Sequence, residues 1–178
     1  MTERLWAPWR MQYVSSAREK PEGCLFCRKA REEVCAESMV LFRGEHAFAM
    51  LNAFPYTNGH LMVAPIRHTA DMNELTDAEL LEIARFVRQC VNLLQEAYHP
   101  DGFNIGVNLG RAAGAGIEDH IHWHIVPRWN GDTNFMPVLA DVRVIPDSLE
   151  NTYIKLRQVM SQRDGDGSDT GPLGCGKP

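Results

Sequence analysis

His120, His122 and His124 take three of the chain's seven histidines and set them two residues apart, with Ile121 and Trp123 in the gaps. Residues at i, i+2 and i+4 of a strand point to one face. The three imidazoles are therefore expected on one side, with Ile121, Trp123 and Ile125 on a buried other side. Each two-residue step covers about 6.6–6.8 Å, which puts the Cα atoms of His120 and His124 about 13 Å apart. A zinc ion with Zn–N bonds of about 2 Å reaches two such neighbours but hardly all three, so a three-histidine metal site on this strand alone is a poor fit. What remains is a division of tasks along a groove, or three histidines turned to solvent.

Cys24 and Cys27 form a C-x-x-C pair. In a reducing compartment that spacing reads first as a metal or redox site, with two unrelated thiols as the plain alternative. A redox pair ordinarily sits in a βαβ setting, which is not visible here. Two thiolates would supply half of a zinc site, the other ligands being histidines from elsewhere. Cys35, Cys90 and Cys175 show no partner pattern and are read as buried or free thiols. The odd total of five cysteines argues against a full disulfide framework.

These residues need a scaffold, and 178 residues suit one domain with a sizeable core. Hydrophobic residues at 44% and charged residues at 23% describe a globular chain. A net charge of -5 argues against broad nucleic-acid binding, which needs a basic face, but leaves room for a small anionic ligand. Met1 to Arg10 lacks a signal-peptide core and no stretch approaches a membrane span, so no membrane partner is expected and the default address is cytoplasmic. Val40 to Phe42 and Ala47 to Leu51 read as a hairpin across RGEH, NAFPYTNG as a turn-rich loop, and His60 to Pro65 as the next strand. Thr76 and Glu79 make a capping box, with Leu75 and Leu80 at hydrophobic-staple positions. Leu80, Ala84, Val87, Val91 and Leu94 then recur at helical spacing until Pro100. Phe103 to Val107 and His120 to Val126 read as strands joined by a loop carrying Gly110, Gly114 and Gly116. Leu149, Tyr153, Leu156 and Met160 mark a shorter C-terminal helix. Strands with one long helix between them predict an α+β fold with an antiparallel sheet. Domain boundaries are expected as an arm at 1–21, one domain at 22–162 and a disordered tail at 163–178, which is nearly free of apolar residues.

The run His-x-His-x-His-x-x-Pro, His120 to Pro127, resembles the signature of the histidine-triad (HIT) family. HAFAMLNAFPYTNGHLMVAPIRH, His46 to His68, is similar to that family's first half, with its Asn and Gly-His pair. The likeness spans residues 22–130. WAPWRMQYV and PRWNGDTNFMPVL are similar to the longer bacterial branch that contains diadenosine tetraphosphate phosphorylases and dinucleoside polyphosphate hydrolases. The resemblance implies a HIT-like fold, a homodimer and a nucleotide substrate cut at the α-phosphate. It makes His122 the nucleophile through a covalent nucleotidyl-histidine, with His124 hydrogen-bonding the phosphate or leaving group. A neutral imidazole suits that role, since its ordinary pKa lies near 6.5 and a covalent intermediate splits one hard displacement into two easier ones.

The same resemblance assigns Asn52 to the ribose and Asn108 to a nearby nucleotide contact, with turn or strand-end residues as the alternative for both. His60 would support the triad, or be a satisfied core histidine. Gly114 and Gly116 would let backbone N–H groups approach phosphate. Many relatives carry Gln and then Ser or Thr where this chain has Gly116 and Ile117, so the usual side-chain contacts must come from elsewhere. Arg111 is the candidate replacement, against a plain solvated arginine. Some relatives hold zinc with a C-x-x-C, a histidine after the P-x-x-H strand end and the first triad histidine, which maps a structural zinc site onto Cys24, Cys27, His68 and His120. The rival functions are a purine nucleoside phosphoramidase of the same fold, a nucleotide-binding adaptor with little turnover, and a zinc-dependent interaction module. Phosphate and water are both open as the final acceptor.

Overall fold

The computed structural model describes residues 23–132 and 145–163. The expected arm at 1–21, the tail at 163–178 apart from Arg163, and Cys175 lie outside the described residues. Apolar runs punctuated by turns build the first three strands, β1 (Val40–Arg43), β2 (Ala47–Leu51) and β3 (Leu61–Pro65). β4 (Gly102–Val107) and β5 (Trp123–Arg128) complete a sheet of order β1-β2-β3-β5-β4. Every neighbouring pair is antiparallel, as the sequence pattern predicts.

β2 and β3 are buried at every position because both faces of the sheet are covered. Ala47, Ala49, Leu51, Leu61 and Val63 point into the main core. Phe48, Met50, Met62 and Ala64 point the other way, into a smaller cluster with Phe26, Ala30 and Val40. The alternation follows from the two-residue period of the pleat.

The main core is roofed by the long helix α2 (Asp77–Tyr98) and the C-terminal helix α3 (Leu149–Arg163). A five-residue turn of helix, α1 (Leu25–Lys29), lies on the opposite face. The predicted capping box is present, with Thr76 accepting from the Glu79 N–H and the Glu79 carboxylate accepting from the Thr76 N–H. The inward stripe of α2 differs from the expected one. Ile83, Cys90, Leu93, Leu94 and Ala97 are buried, Val87 and Val91 only partly so, and Leu80 and Ala84 are exposed. Buried Glu79 explains the rotation: its carboxylate takes Arg67 Nε at 2.9 Å while capping the helix, which turns the adjacent Leu80 outward. Leu75 is buried beneath this end without Leu80 closing over it as a buried partner.

α3 docks through polar as well as apolar groups. Tyr153 donates its hydroxyl to Val40 O at 3.1 Å, Arg157 donates to Leu41 O at 3.1 Å, and Thr152 donates to Asn58 Oδ1 at 3.3 Å. The predicted strand at His120 to Val126 is shifted in the structure. Its ladder begins at Trp123 and runs to Arg128. Pro65 ends β3 and has no N–H to continue the pairing. Ile121 N–H donates instead to Thr69 O at 2.7 Å, beyond that strand end. Among the described residues no helix is long and apolar enough to cross a membrane.

Candidate functional site

His120 and His122 precede β5 and His124 lies within it, paired with Met62 and Gly106, and each of the three imidazoles finds a different partner. His120 is fully buried and its Nε2 lies 2.9 Å from Pro65 O. A carbonyl only accepts, so the His120 proton is on Nε2 and the Nδ1 lone pair faces the other way. There it meets Cys24 Sγ at 3.2 Å, Cys27 Sγ at 3.6 Å and His68 Nδ1 at 3.3 Å, and Cys27 Sγ lies 3.2 Å from His68 Nδ1. All four donor atoms fall within 4.8 Å of one another.

A tetrahedral zinc with bonds of about 2.05 Å to nitrogen and about 2.3 Å to sulfur separates its ligands by about 3.3 Å (N to N) and about 3.6 Å (S to N). The observed spacings match that frame, so Cys24, Cys27, His68 and His120 fit a metal ion of zinc's size and softness. The hydrogen bond from His120 to Pro65 O is the outer contact that commonly fixes a metal-bound histidine. Burial, then the neighbouring Cys24, pushes the Cys27 thiol up, so a second thiolate is disfavoured without a cation beside it.

His122 is also buried, and its Nδ1 lies 2.9 Å from His120 O. By the same reasoning its proton is on Nδ1, which leaves the Nε2 lone pair without a hydrogen-bond partner among the described residues. Burial holds the His122 imidazolium down, so the ring is neutral at pH 7. The Phe26 ring lies against it, with centroids 4.5 Å apart and planes 33° from parallel.

His124 and His60 form a chain whose direction is also fixed. The Tyr56 backbone N–H can only donate, and it lies 3.1 Å from His60 Nδ1. The Asn52 side-chain amide approaches the same nitrogen at 3.3 Å. His60 therefore carries its proton on Nε2 and donates to His124 Nδ1 at 3.0 Å. The His124 proton is left on Nε2. Burial, reinforced by the neighbouring imidazoles, pulls His60 down to about 3 and His124 down to about 4. At neutral pH the site thus presents one imidazole lone pair, on His122, beside one imidazole N–H, on His124, with ring centroids 4.9 Å apart. That combination can attack an electrophile while donating a hydrogen bond to a group leaving it.

The glycine loop lies before the triad, with a 3₁₀ turn at Arg111–Ala113. Gly114 has φ +89°, and the Asn108 amide nitrogen would lie 4.0 Å from a Cβ placed there. Its backbone N–H donates to Arg111 O at 3.0 Å and that of Ala115 to Gly110 O at 3.4 Å, so these two are spent on the loop itself. Gly116 is exposed, with open space at the position of a side chain. Ile117 turns inward against the smaller cluster. The Arg111 side chain is 90% exposed and stands 4.0 Å from Glu118. Asn52 accepts the Phe54 N–H at 2.9 Å as well as approaching His60, which is a turn-holding task.

Phe26 and Tyr56 are the neighbours that motif reasoning did not single out. Tyr56 lies tilted against His60 and stacked on His124, with centroids 4.7 and 6.0 Å away. Phe26 sits inside the C-x-x-C itself, and that spacing was the one signal available for it.

Sheet order, triad and four-ligand cluster together define a HIT-type protein. The HIT domain matches residues 34–131, more than half of the chain, and the protein belongs to the HIT family. It is 38% identical over 156 residues to a protein named AP-4-A phosphorylase from Mycobacterium tuberculosis, covering 84% of this chain and 80% of the relative. Among solved structures it resembles a Zn-bound histidine triad family protein from Mycobacterium smegmatis, with TM-score 0.63 and 30% identity over 80% of this chain and 96% of that one. A hypothetical histidine triad nucleotide-binding protein from Sulfolobus tokodaii gives TM-score 0.61 and 25% identity over 78% and 93% of the two chains.

Proposed function

We propose that this protein is an enzyme that transfers a nucleotidyl group from a dinucleoside polyphosphate, with diadenosine tetraphosphate as the substrate to try first. The observation that carries the reading is the paired tautomers: a neutral His122 with its Nε2 lone pair free, beside His124 with its Nε2–H free. His122 Nε2 attacks the α-phosphorus, a P–N bond forms, and the P–O bond to the rest of the polyphosphate breaks. His124 donates a hydrogen bond to the departing oxygen. In the second step an acceptor oxygen displaces His122, the P–N bond breaks and the lone pair returns to Nε2. The His120 carbonyl stabilises the positive charge that develops on the His122 ring, because the Nδ1 proton is already aimed at it.

Asn52 and Asn108 are assigned to the nucleotide, with Gly116 and Arg111 on the phosphate side; Gly114 shapes the loop instead of donating its own N–H. His60 orients His124. Zinc is the metal assigned to Cys24, Cys27, His68 and His120, which would hold it with four protein donors; bound there it would supply structure and not an attacking water. The relative's name favours inorganic phosphate as the second acceptor. A homodimer is assigned through β4, an edge strand with Asn104, Ile105 and Gly106 exposed, and the cytoplasm is the assigned compartment.

The test is product analysis with diadenosine tetraphosphate, with and without phosphate. ADP plus ATP, dependent on phosphate, is expected. AMP plus ATP in both conditions would make water the acceptor, and no cleavage at all would remove the reading. His122→Ala should cut kcat by several orders of magnitude (roughly 10³-fold or more) while AMP still binds. Quenching the wild-type reaction in alkali should leave an acid-labile nucleotide on the His122 peptide. His124→Ala should be milder, since it removes a hydrogen bond and not the attacking atom.

A further inference from the structure

The α1 turn is too short to hold itself. Five residues make little more than one turn, and isolated helices of that length are not stable in water. Its N-cap, Cys24, makes no side-chain capping bond. What holds it is tertiary. The Arg43 guanidinium donates to Lys29 O at its last residue and to Glu32 O beyond it, the two thiols face His68 and His120, and Phe26 is driven fully into the smaller cluster.

Phe26 therefore has its backbone pinned on both sides by metal-site residues. Its ring contacts three others: His122 at 4.5 Å, His120 at 5.2 Å and Phe48 at 6.4 Å between centroids. The contact with His122 is the closest and the most nearly parallel, at 33°. The His120 carbonyl fixes one edge of the His122 ring and the His124 ring meets it edge-on at 4.9 Å between centroids. The face of Phe26, closer and more nearly parallel, limits the tilt that these leave.

We propose that Phe26 is a positioning residue for His122: the Cys24–Cys27 turn presses its ring against the imidazole and fixes the direction in which Nε2 points. This rests on the reading of His122 as the attacking group. It gives the Cys24–Cys27 turn, which does not itself reach the reacting atoms, a defined effect on the rate. A side chain that only fills space would protect stability, whereas one that aims a nucleophile acts on kcat and spares substrate affinity.

Phe26→Leu and Phe26→Met test this, since both keep an apolar side chain and lose the flat ring. Each variant of the full chain is assayed well below its own Tm for zinc content, AMP affinity, and kcat and KM with diadenosine tetraphosphate. The expected result is about one zinc per chain, AMP affinity and KM within about threefold of wild type, and kcat lower by about 10- to 100-fold, as for a small misplacement of a reacting atom. Wild-type kcat in either folded variant overturns the proposal. So does a fall in zinc content or AMP affinity that accounts for the lost rate, because Phe26 would then build the site without aiming His122. His122→Ala in the same assay separates the two ideas. Turnover that survives His122→Ala removes the nucleophile reading itself; an inactive His122→Ala beside fully active Phe26 variants removes only the positioning role.

Discussion

Gly59 precedes His60 and carries φ +77°, a left-handed conformation that side chains rarely adopt. A Cβ built there would lie 2.8 Å from the Leu94 Cδ2 methyl, with Pro127 and Tyr98 ring carbons at 3.6 and 3.7 Å behind it. Leu94 is fully buried in α2, so that methyl has no solvent to swing into. Gly59→Ala should therefore cost about 1 kcal/mol for the left-handed backbone and about 1–3 kcal/mol for overpacking. For a domain of this size each kcal/mol shifts Tm by about 2–4 °C, so a fall of roughly 5–15 °C is expected. Thermal unfolding followed by circular dichroism, with zinc held at a fixed free concentration, measures it. The relief of the clash moves the 59–60 backbone away from α2 and drags His60 off His124, so kcat should fall as well at temperatures where the variant is folded. A Tm within about 2 °C of wild type would refute the reasoning, because it would mean that the wall behind Gly59 yields without cost.

The double variant Cys24→Ser with Cys27→Ser should lose its zinc and melt at a lower temperature, since metal binding to the folded state is folding free energy; freshly purified wild type that contains no zinc by elemental analysis would defeat the assignment. Hydrogen bonding to Arg67, and then to the Thr76 N–H and hydroxyl, pulls Glu79 down to about 2 from its ordinary 4.5. A depressed carboxylate contributes stability above its unfolded pKa and loses it as pH falls toward the folded one. Screened by the half-exposed Arg67, the contribution is about 2 kcal/mol. Urea unfolding of wild type against Glu79→Gln should show that gap at pH 6 and its closure between pH 4.5 and 2, and a gap independent of pH would contradict it.

The parts of this protein that are legible in sequence are those specified by local pattern or by donor chemistry. The capping box at Thr76 and Glu79 is a three-residue spacing, and the helix begins where it says. The C-x-x-C spacing alone points to two metal ligands, whereas His68 and His120 are added to them only by the family resemblance, and the structure brings all four donor atoms within 4.8 Å of one another. What pattern reading missed is set by tertiary contacts. Helical periodicity in Leu80, Ala84, Val87, Val91 and Leu94 gave a stripe, but the rotation about the axis is decided by Glu79 meeting Arg67 across the chain. The start of β5 at Trp123 depends on Pro65 in another strand. The α1 turn has too few residues to announce itself, and it owes its shape to the cysteines and Phe26. The backbone N–H of Tyr56 fixes a tautomer, yet any residue except proline at that position carries the same group.

Under the proposed mechanism that backbone N–H also bears on the leaving group. It holds His60 Nδ1 as an acceptor and cannot itself release a proton, so the imidazole pair ends there in a blind alley. His124 offers its N–H as a hydrogen bond and, among the described residues, has behind it only neutral His60 and the Tyr56 main chain, neither of which replaces a proton given away. A polyphosphate departs as a weakly basic anion and asks for nothing more. An amine is strongly basic and must be protonated as it leaves, so it has to draw that proton from solvent or from its own substrate. On the proposed mechanism the rate of the first step should accordingly track leaving-group basicity, with polyphosphate anhydrides cleaved faster than phosphoramidates, and comparison of kcat on the two substrate classes checks it.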